Sequence, residues 1–395
     1  MALAAFYFME NRTVEKYEKR VKTRKKLSTV GLVLRIVVIS AVLALAVLAV
    51  LNYDQLTPEA IRARFSDTEE LGTSVGSFSF IADNKNSFAV RGQGIDILSP
   101  SGLVMIDGTG EERVLRIRSF SRPVAKAAGN YLLAYDVGGT NIIYSEGYSI
   151  LREETLASVV ISGAVSESGN YLLITEERGA KAVATVYGTD SAERFKWVSS
   201  ERYLVCGALA DDGKMLALAG IRREGTRVVS SIAILVTTSD APVAVVDMLD
   251  DVVIELMFVG ENIVAITERG ILFFDGKGKQ LGSYEYGVYD LSEFDSGSDF
   301  VAIRLTAPSI GDLSRISTFS VEGAKLGEFG IGNVSAISCT ENELGILTTD
   351  SLMVYNNTLG KKAEMPVPGG SKSLLLRKDG EALVVTSGTA VIYSY

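Results

Sequence analysis

The pentapeptide GNYLL occurs twice in this chain, at residues 129–133 and again at residues 169–173. In each copy a glycine, which tolerates the backbone of a tight turn, precedes a short apolar run with an aromatic residue. Related segments begin further along the chain at Gly213 (GKMLA), Glu261 (ENIVA), Ser298 (SDFVA), Asn342 (NELGI) and Gly380 (GEALV). The recurrence predicts one such strand in each unit of a repeated β-structure.

The spacing of this signature strand predicts a β-propeller. Its first large apolar or β-branched position serves as a marker, and successive markers are 36 to 48 residues apart. The markers are Ile95, Tyr131, Tyr171, Met215, Ile263, Phe300, Leu344 and Ala382. A variable period of about 40 residues with four strand-like segments is typical of propeller blades. We therefore predict an all-β fold of eight blades, or of seven if one irregular unit has been divided.

The two ends of the repeat array are incomplete in complementary ways. A strand-like segment, SFSFIAD at residues 77–83, precedes the first complete unit, and the last unit, from Ser371, has only three strand-like segments. A first strand that completes the last blade would remove the free sheet edges of an open array. We therefore predict that residues 77–83 close the ring.

The composition argues against several kinds of site. The sequence has no histidine, which removes the commonest general base and metal ligand. Its two cysteines, Cys206 and Cys339, are too few for a disulfide framework or a zinc site, and both lie in apolar runs. We interpret them as free thiols of the core, three blades apart. We predict no catalytic, cofactor-binding or metal-binding residue, and no cofactor.

The charge is unevenly distributed along the chain. Residues 1–26 contain eight basic and three acidic residues, whereas residues 52–395 contain 30 basic and 45 acidic residues. An acidic body argues against nucleic acid as the ligand. The apolar leader at residues 1–8 fits nothing downstream, so we expect Met9 to be the initiator.

Residues 27–51 have the properties of a membrane span. They contain one charge, Arg35, and as a helix they would extend about 37 Å, enough to cross a bilayer. The basic segment before them predicts a cytoplasmic N-terminus. A cleaved signal peptide is the alternative, with Ala44 and Ala46 as small residues near the cleavage site. The length of the basic and apolar segments favours an uncleaved anchor.

The predicted organisation therefore has four parts. Residues 1–26 form a basic cytoplasmic tail, residues 27–51 the anchor, residues 52–74 a stalk and residues 75–395 the propeller. Within the stalk, Thr57 followed by Pro58 is a favourable helix start and predicts a short juxtamembrane helix. The propeller is expected outside the membrane.

Three polar or aromatic clusters could contact a ligand, but each also has a structural interpretation. Residues 135–140, YDVGGT, could line a binding rim or form a turn. The charged residues 176–178 are interpreted as a solvated strand end. Tyr284, Tyr286 and Tyr289 could form a contact patch or pack between blades, and the second interpretation is favoured.

The chain resembles two known groups of proteins. Its repeat, an apolar strand, a Ser/Asp-x-Gly turn and then YLL or MLA, resembles the quinoprotein-type and WD-like propellers. Its full layout is similar to an uncharacterised family of Gram-positive, mostly clostridial, membrane-anchored proteins. That resemblance is carried by SRPVAKAAGNYLLAYDVGGT (121–140), VSESGNYL (165–172) and ALADDGKMLAL (208–218). It implies a fold, a location and a domain of unknown function.

The quinoprotein resemblance does not extend to a cofactor site. Enzymes of that group bind pyrroloquinoline quinone with calcium and stack the cofactor on tryptophan. The single tryptophan here, Trp197, lies in a predicted outer strand, and no motif matches residue by residue.

The expected function is a membrane-anchored, extracytoplasmic and non-enzymatic binding or scaffold module. Its expected partner is an envelope protein or cell-wall material. One alternative is an envelope enzyme, either quinone-dependent or acting on glycans through paired carboxylates. Another is a sensor that signals through the helix to the cytoplasmic tail.

Overall fold

The computed structural model describes residues 74–307 and 313–395, and these form 32 β-strands in eight four-stranded antiparallel sheets. Neighbouring sheets contact one another around a ring, most of them through their first strands, so each sheet is one blade of an eight-bladed propeller. The predicted eight blades are confirmed.

The first four blades follow one another in chain order. Blade 1 consists of β2 (Ser87–Arg91), β3 (Gly94–Ser99), β4 (Gly102–Ile106) and β5 (Glu112–Ile117). Blade 2 consists of β6 (Pro123–Ala128), β7 (Tyr131–Asp136), β8 (Asn141–Glu146) and β9 (Ser149–Thr155). Blade 3 consists of β10 (Val160–Val165), β11 (Tyr171–Thr175), β12 (Ala182–Tyr187) and β13 (Glu193–Ser199). Blade 4 consists of β14 (Tyr203–Leu209), β15 (Met215–Glu224), β16 (Arg227–Val236) and β17 (Ala244–Leu249).

The other four blades complete the ring, and the last one combines both ends of the array. Blade 5 consists of β18 (Val253–Val259), β19 (Asn262–Thr267), β20 (Gly270–Phe274) and β21 (Gln280–Glu285). Blade 6 consists of β22 (Asp290–Ser296), β23 (Phe300–Thr306), β24 (Leu313–Ser320) and β25 (Lys325–Gly332). Blade 7 consists of β26 (Val334–Thr340), β27 (Glu343–Thr348), β28 (Ser351–Asn356) and β29 (Lys361–Pro366). Blade 8 consists of β30 (Ser373–Leu376), β31 (Glu381–Val385), β32 (Thr389–Ser394) and β1 (Ser74–Ser79).

The second strand of each blade is the signature strand found in the sequence. Every marker residue is the first or second residue of β3, β7, β11, β15, β19, β23, β27 or β31. These strands are buried on both faces because each blade packs between two others. In β7, for example, Leu132, Leu133 and Ala134 are all fully buried. Burial on both faces explains why the signature reads as a continuous apolar run.

The N-terminal strand closes the ring, as predicted. β1 pairs antiparallel with β32, in register from Ser77 with Val391 to Ser79 with Thr389. The strand spans Ser74–Ser79, so it starts three residues earlier and ends four residues earlier than the predicted segment 77–83. Ile81 is exposed to solvent and lies beyond the strand, although its apolar character places it in the predicted segment.

Positive φ angles explain the glycine that precedes each GNYLL strand. Gly129 has φ 54° and Gly169 has φ 83°, a region that favours glycine. At Gly169 the turn is closed by a hydrogen bond from its amide to the Ser166 carbonyl, 3.0 Å long. The turn prediction made from the sequence is confirmed there.

The predicted tail (1–26), anchor (27–51) and nearly all of the stalk (52–73) lie outside the described residues. Within residues 74–307 and 313–395, no helix has the length and apolar character needed to cross a membrane.

Candidate functional site

The first strand of every blade begins at the same face of the ring, which we call the upper face. These innermost strands are β2, β6, β10, β14, β18, β22, β26 and β30, and they surround the central channel. Because strands alternate in direction, the loops between second and third strands also lie at the upper face. The turns between third and fourth strands lie at the opposite, lower face.

A groove of about 490 Å³ opens on the upper face between blades 3 and 4. Its walls are the residues before and in β10, the loop between β11 and β12, and the start of β14. Tyr203, at that start, is 53% exposed. The Lys181 ammonium donates to the Tyr203 hydroxyl at 2.7 Å and lies 4.4 Å from the centre of its ring. The groove therefore presents an aromatic ring that a cation holds in place.

The charged residues 176–178 form part of the groove wall and are exposed. Glu177 pairs with Lys196 at 3.2 Å, an exposed ion pair of small energetic value. The predicted solvated character of residues 176–178 agrees with their exposure, but the sequence identified neither the groove nor Tyr203. The available signal was an aromatic residue at the solvated start of an innermost strand.

Apolar exposure continues around the upper face beyond the groove. Ile254, near the start of β18, is 47% exposed, and Val288, just before β22, is 81% exposed. With Tyr203, three successive innermost strands each begin beside a large exposed apolar side chain. These three side chains make the upper face the candidate contact face of the ring.

A long hairpin of blade 4 extends at the upper face. β15 and β16 are ten residues each, and Tyr203 with Ile221 is the last pair that joins β15 to β14. Residues 222–228 therefore extend past the innermost strand at the upper face. Arg222 anchors the base of this extension through Asp247, with 2.8 Å between Nη1 and Oδ1.

An ion pair crosses the central channel. The Lys126 ammonium, on β6 of blade 2, lies 3.2 Å from the Glu255 carboxylate, on β18 of blade 5. Burial alone would lower the pKa of Lys126, but Glu255, together with Tyr135 and Cys206, outweighs that effect and raises the pKa of the lysine. The pair therefore joins blades that are three positions apart in the ring. Burial also raises the pKa of the nearby Cys206 thiol, which keeps it protonated.

Two carboxylates lie on one face of β22, in blade 6. Glu293 Oε2 accepts the Ile337 amide at 3.0 Å, and Asp295 Oδ2 accepts the Cys339 amide at 2.6 Å. Burial raises the pKa of Glu293 to about 7 and the pKa of Asp295 to about 6. The two groups are on one strand and each holds the backbone of blade 7.

The other clusters singled out in the sequence have structural contacts. Asp136, the last residue of β7, is buried and accepts the amides of Ser121 and Arg122 at 2.9 and 2.7 Å, so the turn at residues 137–139 follows a strand end that is tied to the preceding loop. Tyr286 is buried in a cluster shared by blades 5 and 6, and the Tyr284 ring packs 4.9 Å from that of Phe319.

Trp197 and the two cysteines lie in β-strands, as the sequence indicated, but Cys339 is only partly buried. Trp197 lies on the outer strand β13 and packs against the core of blades 3 and 4. Cys206 and Cys339 are free thiols of blades 4 and 7. Across residues 74–307 and 313–395, no three His, Cys, Asp or Glu side chains are grouped to hold a metal ion.

Comparison with known proteins places the chain in a sequence family. The family described as "Family of unknown function (DUF5711)" matches residues 74–390, which is the propeller. No curated protein sequence matches the chain.

Several solved structures share the fold. BamB from Moraxella catarrhalis is 14% identical, with a TM-score of 0.52, over 82% of this chain and 100% of its own. The C-terminal WD40 domain of Sif2 is 10% identical, with a TM-score of 0.52, over 82% and 97%. Apo AztD from Citrobacter koseri is 10% identical, with a TM-score of 0.51, over 73% and 88%. At these identities the likeness shows the fold alone.

Proposed function

We propose that this chain, which belongs to the DUF5711 family of unknown function, is a non-enzymatic binding or scaffold module. In this proposal residues 27–51 anchor the propeller in a cell membrane, with the N-terminus in the cytoplasm and the ring outside. The anchor rests on the apolar run and on the basic segment before it.

The observation that carries the binding role is the character of the upper face. It combines a groove, a fixed tyrosine and two further exposed apolar side chains on a rigid closed ring. Aromatic residues such as tyrosine are enriched in the cores of protein interfaces, and a rigid scaffold limits the entropy lost on binding. These properties favour a macromolecular partner that rests on the face.

The proposed partner is an envelope protein or cell-wall material. The location of the ring outside the membrane, which the basic segment and the apolar run predict, would make such partners accessible. The acidic balance of residues 52–395 disfavours nucleic acid.

Crosslinking in intact native cells, with purification through a C-terminal tag and mass spectrometry, tests this function. We expect one dominant envelope or membrane protein. Tyr203→Ala should reduce its recovery at least several-fold, since an aromatic anchor in a groove is a typical hot spot. The control is Tyr148→Ala, because Tyr148 is a tyrosine of similar exposure, 41%, at the lower face.

The outcomes separate the candidate partners. Loss of the partner with Tyr203→Ala but not with Tyr148→Ala would support binding at the upper face. Equal recovery with both variants would exclude the groove. Absence of any protein partner above background would shift the proposal to a glycan or a small molecule and strengthen the enzyme alternative.

A further inference from the structure

A cavity of about 200 Å³ lies at the upper face between blades 5 and 6. Its walls are Tyr289, just before β22, the first residues of β24 and the later residues of β25. Arg315 of β24 is paired across the strands with Gly330 of β25, so the two residues share one face of the sheet. Because glycine has no side chain, the space beside the Arg315 guanidinium stays open.

The Arg315 side chain is held in position but keeps most of its donors. Its guanidinium carbon lies 4.0 Å from the centre of the Tyr289 ring, and Nη2 donates to the Tyr289 hydroxyl at 2.5 Å. The Tyr284 hydroxyl lies close by. Within residues 74–307 and 313–395, these two hydroxyls engage at most two of the five N–H donors of the guanidinium. The side chain is 34% exposed, so a ligand in the cavity can reach the other donors.

The acid that lines the cavity, Glu328, is bound by other groups. Its Oε2 atom accepts from the Ser317 hydroxyl at 3.0 Å, the Tyr284 hydroxyl at 3.2 Å and the Lys325 ammonium at 3.3 Å. Arg315 Nη1 lies 3.8 Å from Oε1, which is too long for a hydrogen bond. The three charged side chains of this network, Arg315, Lys325 and Glu328, carry one net positive charge.

We propose that this cavity is a binding site for a carboxylate group. The planar guanidinium presents paired N–H donors that match the two oxygens of a carboxylate, and such charge-assisted bonds are short and strong. One carboxylate balances the net positive charge, whereas the nearby Glu328 disfavours a dianion. Leu313, which is 45% exposed, and Phe329 supply apolar surface for the carbon atoms attached to the carboxylate. The site is separate from the groove at Tyr203 and does not depend on its proposed role.

Ligand-observed NMR on the full chain, with propionate and propionamide as probes, tests the assignment. The two probes have the same shape, but only propionate is charged and presents two oxygens. We expect propionate to bind at least about tenfold more tightly, the usual gain of a charge-assisted hydrogen bond over a neutral one. Equal affinities would overturn the proposal, as would tighter binding of inorganic phosphate than of propionate.

Two substitutions test the location of the site. Arg315→Gln removes the charge, and Gly330→Val fills the cavity. A Cβ on Gly330 would meet only Leu313 and Ser314, at 3.6 Å or more, so the larger side chain fits the strand. We expect each variant to bind propionate at least about tenfold more weakly. The control is Arg113→Gln, which removes an exposed arginine of blade 1 and should leave binding unchanged. Native-like binding by both cavity variants would refute the site.

Amide hydrogen exchange of the native chain needs no substitution, so it decides the question even if a variant folds poorly. Propionate should slow exchange at least about twofold in residues 313–320 and 325–332 and leave residues 351–356 of blade 7 unchanged. The absence of a local change would overturn the proposal.

Addition of propionate to the crosslinking experiment then distinguishes two sources of the carboxylate. Reduced recovery of the partner would show that the partner supplies the group. Unchanged recovery, with binding in the NMR experiment, would assign the site to a free small carboxylate.

Discussion

Truncation of Phe78 to alanine should weaken the ring at its closing strand. Phe78 is the buried side chain of β1, at 8% exposure, and it packs in a cluster with Ile95 and Ile97 of blade 1 and with Leu383 and Val385 of blade 8. It therefore connects the closing blade to the first blade of the ring. The remainder of β1 contributes mainly backbone pairing with β32.

The expected cost follows from the volume that the substitution empties. Phenylalanine to alanine in a core costs about 3–5 kcal/mol of unfolding free energy, from lost transfer energy and the remaining cavity. Phe78 lies on an outer strand, where solvent and neighbours can partly fill the space, so we expect about 3 kcal/mol. That is a large fraction of the 5–15 kcal/mol typical of native domains.

Urea unfolding followed by circular dichroism measures the effect. The matched control is Val75→Ala, because Val75 lies on the same strand at 58% exposure. The control should lose less than about 0.5 kcal/mol, as exposed substitutions usually do. If Phe78→Ala were no more destabilising than Val75→Ala, closure of the ring by β1 would not contribute to its stability and the reasoning would fail.

Two further substitutions test close contacts between blades. Gly297→Ala should lower the free energy of unfolding by at least about 2 kcal/mol, since the new Cβ would clash with a backbone oxygen of blade 7. The control is Gly332→Ala, whose Cβ would have no neighbour within 4 Å and which should lose less than half as much. Thermal unfolding of both variants measures the difference. Lys126→Met should cost about 1–2 kcal/mol because Glu255 loses its counter-charge in the channel. The control is Lys214→Met, which removes an exposed ion pair and should lower the free energy of unfolding by less than about 0.5 kcal/mol. Equal losses for the two variants in urea unfolding would contradict a structural role for the pair in the channel.

Much of the fold could be predicted because each blade repeats the same short turn and apolar strand. The turn at Gly169 and the apolar strand after it are properties of a few consecutive residues, and each marker falls in a second strand. The number of marker residues then predicts the number of blades, and the missing fourth strand of the last unit predicts closure by β1. The error at Ile81 arose because an exposed apolar residue after a strand resembles one within it.

The candidate site was less accessible to prediction. Tyr203 belongs to an apolar strand pattern like those of other blades, and only its position at the open start of β14 exposes it. Residues 176–178 were correctly described as surface, but their place in the wall of a groove depends on the neighbouring blade. The exposure of a side chain between two blades depends on both of them, and no pattern within one repeat encodes it.

The order of strands, their grouping into blades and the closing segment are encoded in the sequence, since they depend on turns and apolar runs that are contiguous in the chain. The contacts across the ring are of a different kind. Lys126 meets Glu255 although 129 residues separate them, and Glu293 holds the amide of Ile337 from the next blade. These contacts form because eight blades are arranged around one axis. That arrangement, and not any local sequence pattern, sets the distances between residues of different blades.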